Sequence, residues 1–313
     1  MSATDTSRPV NKAKIVILGA GPAGMSAALY AARAELQPIV LTGSQYGGQA
    51  ALTHTIENYP GFPEGVGGMQ ISELFQKQAE RFGARFEFDT AEAVDLSQRP
   101  FKISTYSQDY LADALIITTG ASPNLLNVPG EKALTGKGVS YCATCDGWFF
   151  KGKKVVVVGG GDSALEEAIF LTRYASEVTV IHRRDALRAG VILQKRAREA
   201  NVQFVFDTVV TEIVGVQAVT AVKLRHVKTE ETSELATDGV FIFIGHTPNT
   251  QLFKGQLELD GKGYIVSDIQ MRTSVPGVFA AGEVCDPNYR QVVTSAGMGA
   301  AAAIQATRFL EEH

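Results

Sequence analysis

Two thiols three residues apart, Cys142 and Cys145, are followed at once by a carboxylic acid, Asp146. A Cys-x-x-Cys pair can close into a disulfide and open again, and that exchange needs a nearby group to deliver or remove a proton. Asp146 is adjacent and of the right type. Beyond the pair, Val155-Val156-Val157-Val158 feeds directly into Gly159-Gly160-Gly161-Asp162-Ser163-Ala164. A second junction of the same kind, Ile15-Val16-Ile17-Leu18 into Gly19-Ala20-Gly21-Pro22-Ala23-Gly24, lies near the start. Two dinucleotide-type sites and one dithiol in a single chain imply an electron path from a reduced pyridine nucleotide through a flavin to a disulfide.

Other uses of the thiols fit less well. A structural metal would need two further ligands. Only Cys285 remains, and the histidines, His54, His182, His226, His246 and His313, are scattered, so no metal site is expected. An inert buried pair would have no use for Asp146. Cys285 by itself reads as a small core hydrophobe.

In the first glycine motif Gly19 permits a tight turn, Gly21 lets a phosphate approach the backbone, and Gly24 lets helix and strand pack closely. The helix opening at Pro22 and Ala23 then offers free N–H groups and its positive end to a pyrophosphate. The acid that an NAD site places after the second strand is missing, since Val40-Leu41 runs into Thr42-Gly43. With Gly47-Gly48-Gln49 and a long loop to Asn58-Tyr59-Pro60-Gly61, a larger ligand, FAD, fits better. The second motif has Gly159, Gly161 and Ala164 at the corresponding positions. Its second strand ends in His182-Arg183-Arg184-Asp185-Ala186-Leu187-Arg188. Guanidinium forks match a 2′-phosphate rather than a 2′-hydroxyl, so this site reads as NADPH.

The elements that must position these motifs follow a βαβ rhythm, the unit of a parallel sheet. Lys14–Leu18, Pro22–Ala34 and Pro38–Leu41 form the first such unit. Gln70–Phe82 is an amphipathic helix with Ile71, Leu74, Phe75, Ala79 and Phe82 on one stripe. Residues 47–68 form a Gly- and Pro-rich loop too long to be only a connector. Ala114–Thr119 is a buried strand ending at Gly120. Residues 121–138 suit a domain boundary. The rhythm restarts with Lys154–Val158, Ser163–Thr172 and Glu177–Ile181. Val209–His226 reads as paired strands, with a polar turn at Thr229–Thr232, and Gly239–Gly245 as a buried strand. Val278–Gly282 is a strand and Thr294–Leu310 a helix rich in Ala and Gly. This tail is too small to fold alone and is expected to complete the first domain. The fold class is α/β, with two Rossmann-like dinucleotide-binding domains, one inserted into the other.

The bulk numbers agree with a globular enzyme. The chain has 313 residues, 45% of them hydrophobic, with 29 basic and 33 acidic side chains for a net charge of −4. That balance gives nucleic-acid binding no support. No apolar run approaches the roughly 18 residues of a membrane span, and the polar start, Met1 to Lys14, has no leader-like apolar stretch.

On these residues the chain resembles the bacterial-type, low-molecular-weight thioredoxin reductases. The carriers are Gly19–Gly24, Gly47-Gly48-Gln49, Glu57–Gly61, Cys142–Asp146, Gly159–Ala164 and His182–Arg188, with Gly282-Glu283-Val284 and Tyr289-Arg290-Gln291 in the tail. The resemblance implies a cytoplasmic homodimer with one FAD per subunit. It implies a FAD domain in two parts, 1–122 and 248–313, and an NADPH domain, 123–247, carrying the redox pair. Electrons would pass from NADPH to FAD, to the Cys142–Cys145 disulfide, and to oxidised thioredoxin. By position Cys145 would face the flavin, Cys142 would attack the partner disulfide, and Asp146 would be the acid. Residues 121–138 and 244–250 would contain the hinges. The FAD site would draw on Gly19, Gly21, Pro22, Ala23, Gly24, Thr42, Gly43, Gly47, Gly48, Gln49, Asn58, Thr119, Gly120, Gly282, Glu283, Arg290, Gln291 and Val292. The NADPH site would draw on Gly159, Gly161, Asp162, Ser163, Ala164, His182, Arg183, Arg184 and Arg188. Two positions depart from the family: Glu283 stands where Asp is usual, and Ala50 where Leu is common.

Rival readings remain distinct. A relative fed by ferredoxin or another donor would have no use for Arg183, Arg184 and Arg188. The flavin subunit of a peroxide-reducing system would carry a further N-terminal dithiol domain, which is not expected here. A non-catalytic nucleotide-binding regulator would leave Cys142 and Cys145 idle.

Overall fold

In the computed structural model the apolar run Ile15–Leu18 forms the inner half of a strand, β1 (Val10–Leu18). All four of these side chains are buried, as they must be in a parallel strand covered on both faces. The structure describes residues 8–53 and 55–313; residues 1–7 of the polar start, and His54, lie outside them. From β1 the chain runs through α1 (Pro22–Arg33), β2 (Ile39–Leu41), α2 (Gly48–Ala51) and α3 (Gly68–Glu80). Then come β3 (Arg85–Glu87), β4 (Ala91–Asp95), β5 (Phe101–Thr105), β6 (Asp109–Ile117) and β7 (Ala121–Pro123). The middle of the chain begins with α4 (Glu131–Leu134), β8 (Val139–Ser140), α5 (Ala143–Asp146), β9 (Lys154–Gly159), α6 (Asp162–Leu171), β10 (Glu177–Ile181) and α7 (Val191–Glu199). It continues with β11 (Gln203–Val205), β12 (Thr208–Gly215), β13 (Val219–His226), β14 (Thr232–Ala236), β15 (Gly239–Phe243) and β16 (His246–Pro248). The chain closes with β17 (Val278–Ala280) and α8 (Val292–Glu312).

These elements form two compact units. One contains the described chain up to Ser122 together with Thr247–His313; the other is Pro123–His246. In the first unit β3, β2, β1 and β6 lie side by side in parallel, and β5 and β4 extend the sheet antiparallel. Strand β6 has two partners along its length. Phe101 of β5 pairs with Ala112, while Val278–Ala280 of β17 pair in parallel with Leu115–Ile117. The end of the chain therefore completes the sheet that its beginning started. One face of that sheet buries Ile15, Ile17 and Ile116 against Ala27 and Ala31 of α1 and Ala302, Ala303 and Ala306 of α8. The other buries Val16, Leu18, Leu115 and Ile117 with Phe253.

In the second unit β11-β10-β9-β15-β8 form a parallel sheet, and β12-β13-β14 an antiparallel one. Val155, Val157 and Phe241 pack on Ala164, Leu165 and Ala168 of α6, with Ala143 from the Cys-x-x-Cys turn in the same cluster.

Some elements differ from the sequence reading. The stripe expected over Gln70–Phe82 splits: α3 ends at Glu80, Ile71 and Ala79 are buried, but Leu74 is exposed, as is Phe82 beyond the helix end, under the guanidinium groups of Arg33 and Arg81. Helical period locates the centre of a buried face and not its width. The loop 47–68 contains the single helical turn α2. Strands β3 and β4 and helix α7 carry too little periodicity to read, since β4 buries only Val94 and α7 only Ala197. Helix α8 starts at Val292 rather than Thr294, because Gln291 and Thr294 form a capping box that adds the first turn.

Candidate active site

Strand β8 ends at Ser140, paired with Phe241 of β15, and the chain turns through Tyr141 into the one-turn helix α5. Cys142 is the N-cap of that turn and is joined to Cys145 by a disulfide, with Cα atoms 5.3 Å apart. The backbone N–H of Asp146 donates to the Cys142 carbonyl at 3.2 Å, which places the acid directly behind the pair. The Asp146 carboxylate accepts a 2.6 Å hydrogen bond from the Ser140 hydroxyl. Burial pushes the Asp146 carboxyl above the usual carboxylate range, and the Ser140 bond opposes that shift. An acid so raised holds its proton closer to neutral pH, where thiol exchange operates. Trp148 and Phe149, in the turn that follows, are exposed.

Cys285 differs in kind. It is half-buried, its thiol donates to the Gly282 carbonyl at 3.4 Å, and burial pushes it up to about 11. That leaves it little thiolate and little reactivity. Among the described residues no group of three or more His, Cys, Asp or Glu is placed to hold a metal ion.

The second unit's glycine motif makes the strand-to-helix turn its spacing asks for. Gly161 is the N-cap of α6, with no side-chain cap on the free N–H groups. A Cβ built on Gly161 would meet only Arg188 Nη2, at 4.0 Å, so the turn is open to a ligand and a guanidinium stands beside it. The loop carrying Arg188 folds back onto the turn: the N–H groups of Arg188 and Ala189 donate to the Gly160 carbonyl at 2.7 and 3.1 Å. Asp162 accepts from the Gly190 N–H at 2.8 Å and holds the same loop. Arg183, Arg184 and Arg188 are exposed, and among the described residues none of them is in an ion pair. Asp185, which would otherwise compete for them, pairs with Lys228 at 3.3 Å. These donors suit a doubly charged phosphate monoester beside a dinucleotide.

His182 has a different place from the arginines. It is buried, its Nε2 lies 3.1 Å from the Ala186 carbonyl, and its ring fills the space a side chain on Gly160 would need. Desolvation holds its pKa below the ordinary histidine value. Its side chain supports the turn from beneath, while Ser163 is exposed at the start of α6 and Ala164 packs in the core.

In the first unit Gly21 is the N-cap of α1, again without a side-chain cap, and Pro22 opens the helix. A side chain on Gly24 would collide with the Gly19 carbonyl, so that position serves strand–helix packing. A Cβ on Gly21 would meet only Gly48, at 4.0 Å. The structure thus brings Gly47-Gly48-Gln49, at the start of α2, against the first glycine turn. Thr42 is buried and follows β2 directly, its N–H on the Glu87 carbonyl, and Gly43 donates to Asp89. Thr119 donates through its hydroxyl to the Asn249 carbonyl at 2.7 Å, just before Gly120. The tail converges on the same place. A side chain at Gly282 would press on the Cβ of Ala23 at 2.9 Å. The Asn58 amide donates to the Gln291 side chain at 3.0 Å across 233 residues of sequence, next to Arg290 and Val292. An uncapped helix terminus with a side-chain-free approach fits a pyrophosphate, and the wider ring of small and polar groups fits a ligand the size of FAD.

Glu283 is half-buried beside this ring. Burial pushes it up to about 7, against the lowering effect of Arg290, with Asp286 adding to the rise. Sequence reading overlooks three residues here. Asp286 accepts from the N–H groups of Asn288 and Tyr289 at 2.9 and 3.1 Å and shapes the approach to Arg290. Thr118 donates to the Leu18 and Gly19 carbonyls, both at 2.9 Å, under the first glycine. Ser140 bridges the redox turn. The Asp-Pro-Asn run at 286–288 is a turn signal for the first; the other two carry none.

Residues 13–299 match the model of the pyridine nucleotide-disulphide oxidoreductase family. The thioredoxin reductase of Coxiella burnetii is 51% identical over 307 residues, covering 95% of this chain and 96% of the relative. That of Streptomyces coelicolor is 49% identical over 300 residues, covering 95% and 93%. Among solved structures, the thioredoxin reductase of Streptococcus pyogenes superposes with a TM-score of 0.92 at 42% identity, over 96% of this chain and 99% of that one. That of Giardia duodenalis gives 0.91 at 42% identity, over the same shares.

Proposed function

The chain belongs to the pyridine nucleotide-disulphide oxidoreductase family as a bacterial-type thioredoxin reductase, and from that premise we propose how its own residues divide the work. It is an enzyme that reduces the disulfide of thioredoxin with NADPH as reductant and FAD as cofactor. When bound, NADPH supplies a hydride, and FAD accepts it and passes the electron pair onward.

The FAD domain is 1–122 with 248–313 and the NADPH domain 123–247, bounds that differ from the two compact units only at Thr247. Gly21 and the N-terminus of α1 take the FAD pyrophosphate, with Gly48, Asn58, Gly282 and Gln291 around it. Gly161 and the N-terminus of α6 take that of NADPH, and Arg183, Arg184 and Arg188 take the 2′-phosphate. Cys145 receives the electron pair as the Cys142–Cys145 bond breaks. The thiolate of Cys142 then attacks the thioredoxin disulfide to give a mixed disulfide, with Asp146 holding the proton that the departing thioredoxin sulfur needs. The Cys145 sulfur attacks Cys142, releasing the second thioredoxin sulfur and re-forming the Cys142–Cys145 bond. The observation that carries this assignment is the disulfide itself, closed on a single helical turn with a raised acid directly behind it. Purified protein should be yellow, should bleach anaerobically with NADPH, and should regain its colour with oxidised thioredoxin. A colourless protein that binds no FAD contradicts the reading.

The subunit assembles as a homodimer in the cytoplasm. Leu74 on α3 and Phe82 just beyond its end, both exposed, support a face covered by a second copy, and light scattering should return twice the 33.5 kDa subunit mass. Among the described residues no helix is long and apolar enough to cross a membrane.

Glu283 accepts a hydrogen bond from a ribityl hydroxyl, the part the family gives to Asp. Glu283→Ala should weaken FAD retention by about 1–3 kcal/mol, the cost of an unpaired polar group, while Glu283→Asp should retain FAD at least as well as wild type. Absorbance of the protein after extended dialysis reads both. In the cofactor-free chain the folded state binds the Glu283 proton more tightly than the unfolded chain does, since burial moves it from 4.5 up to about 7. Its contribution to stability is therefore full below 4.5 and is lost as pH rises to about 7. Thermal melts of Glu283→Gln across that window should lack this decline.

A further inference from the structure

We propose that Ser140 is a positioning residue for the redox pair, tying the acid Asp146 to the backbone of Cys142 and setting the pH range over which that acid works. The inference deepens the assignment of Asp146 made above and rests on it.

Ser140 is 4% exposed, at the last position of β8, and its hydroxyl sits between the two ends of the redox turn. It accepts from the Cys142 N–H at 3.1 Å and donates to Asp146 Oδ2 at 2.6 Å. The Cys142 carbonyl lies at 3.2 Å. A hydroxyl has one proton to give, and the shorter contact to a carboxylate takes it. One side chain thereby fixes the N-cap of α5 and the acid at its end relative to a strand of the sheet. No other side-chain hydrogen bond joins the acid to β8 in this way among the described residues.

The surroundings leave Ser140 as the group able to tune Asp146. The turn Gly147–Phe150 packed against α5 has no titratable side chain, and neither has β15 beside β8. Helix α6 carries Asp162, Glu166 and Glu167, and none of them contributes to the shift of Asp146, whose causes are burial and Ser140. Glu131 is engaged elsewhere, accepting from the N–H groups of Leu126 and Asn127 and from the Tyr141 hydroxyl. The remaining titratable neighbours are Tyr141, held on Glu131, Tyr174 and Lys151, which lie against the Trp148 ring, and the two cysteines, and none of them contributes to the shift of Asp146. A hydrogen bond to the charged carboxylate favours that form, so without Ser140 burial acts unopposed and Asp146 keeps its proton to higher pH.

Asp146 must carry a proton in order to give it, so thioredoxin reduction falls as pH rises through its titration. In Ser140→Ala that limb should move upward by about one pH unit or more, and Ser140→Thr, which keeps a hydroxyl, should return it towards wild type. In Asp146→Asn the limb should vanish, and adding Ser140→Ala there should produce no shift. A Ser140→Ala enzyme with a uniformly lower rate and an unmoved limb overturns the inference, because a residue that only packs changes the rate and not the profile. A limb that survives in Asp146→Asn overturns the assignment of Asp146 itself, an outcome distinct from failure of Ser140 alone.

Discussion

Cys142→Ser and Cys145→Ser should each abolish thioredoxin reduction while NADPH still bleaches the flavin. The nicotinamide-to-flavin transfer uses neither sulfur, whereas every later transfer uses both: one to receive the electron pair and one to attack the partner. The structure allows no substitute within the second unit, since Cys142 and Cys145 are bonded to each other and Cys285 belongs to the first unit with its thiol pushed up to about 11. Steady-state turnover with thioredoxin and anaerobic absorbance of the flavin separate the two halves of the reaction. Either variant turning over at the wild-type rate would break the proposed path at its centre.

The second large effect is cofactor choice. NADPH should be preferred over NADH by on the order of a hundredfold or more in kcat/KM, the loss expected from two hydrogen bonds to a charged group. The arginines proposed to make those bonds are exposed and outside any ion pair among the described residues, and Lys228 occupies the nearby acids Asp185 and Asp207. Arg183→Ala and Arg188→Ala should narrow the ratio chiefly by weakening NADPH. Equal use of both nucleotides by the wild type would remove the proposed role of these residues. High salt should also narrow it, because the contacts lie on the surface.

The parts legible in the sequence are those where local pattern and chemistry coincide. A run of four apolar, buried residues leading into a glycine turn marks β1–α1 and β9–α6, because burial on both faces and close phosphate approach leave few other compositions open. The return of the tail to β6 is likewise readable from a strand and an Ala-rich helix too small to stand alone. Contacts made across long sequence separations are another matter. Nothing in the spacing says that Asn58 meets Gln291 or that Gly48 lies against Gly21. His182 looks like one more cation in a basic run, yet the fold turns its ring inward beneath Gly160, which only the packing reveals. Ser140 is the sharpest case. A serine in a short edge strand has no motif, and its place between Cys142 and Asp146 arises only when the turn closes.

The central claim is that Cys142 and Cys145 carry the electrons from NADPH to thioredoxin, and differential alkylation tests it most directly. The FAD-loaded enzyme would be alkylated anaerobically in three states: as isolated, after NADPH, and after NADPH followed by excess oxidised thioredoxin, with each site read by peptide mapping. The account predicts that both cysteines are protected as isolated, both are modified after NADPH, and both are protected again once thioredoxin has taken the electron pair. Modification that NADPH does not change, or that thioredoxin does not reverse, would contradict it.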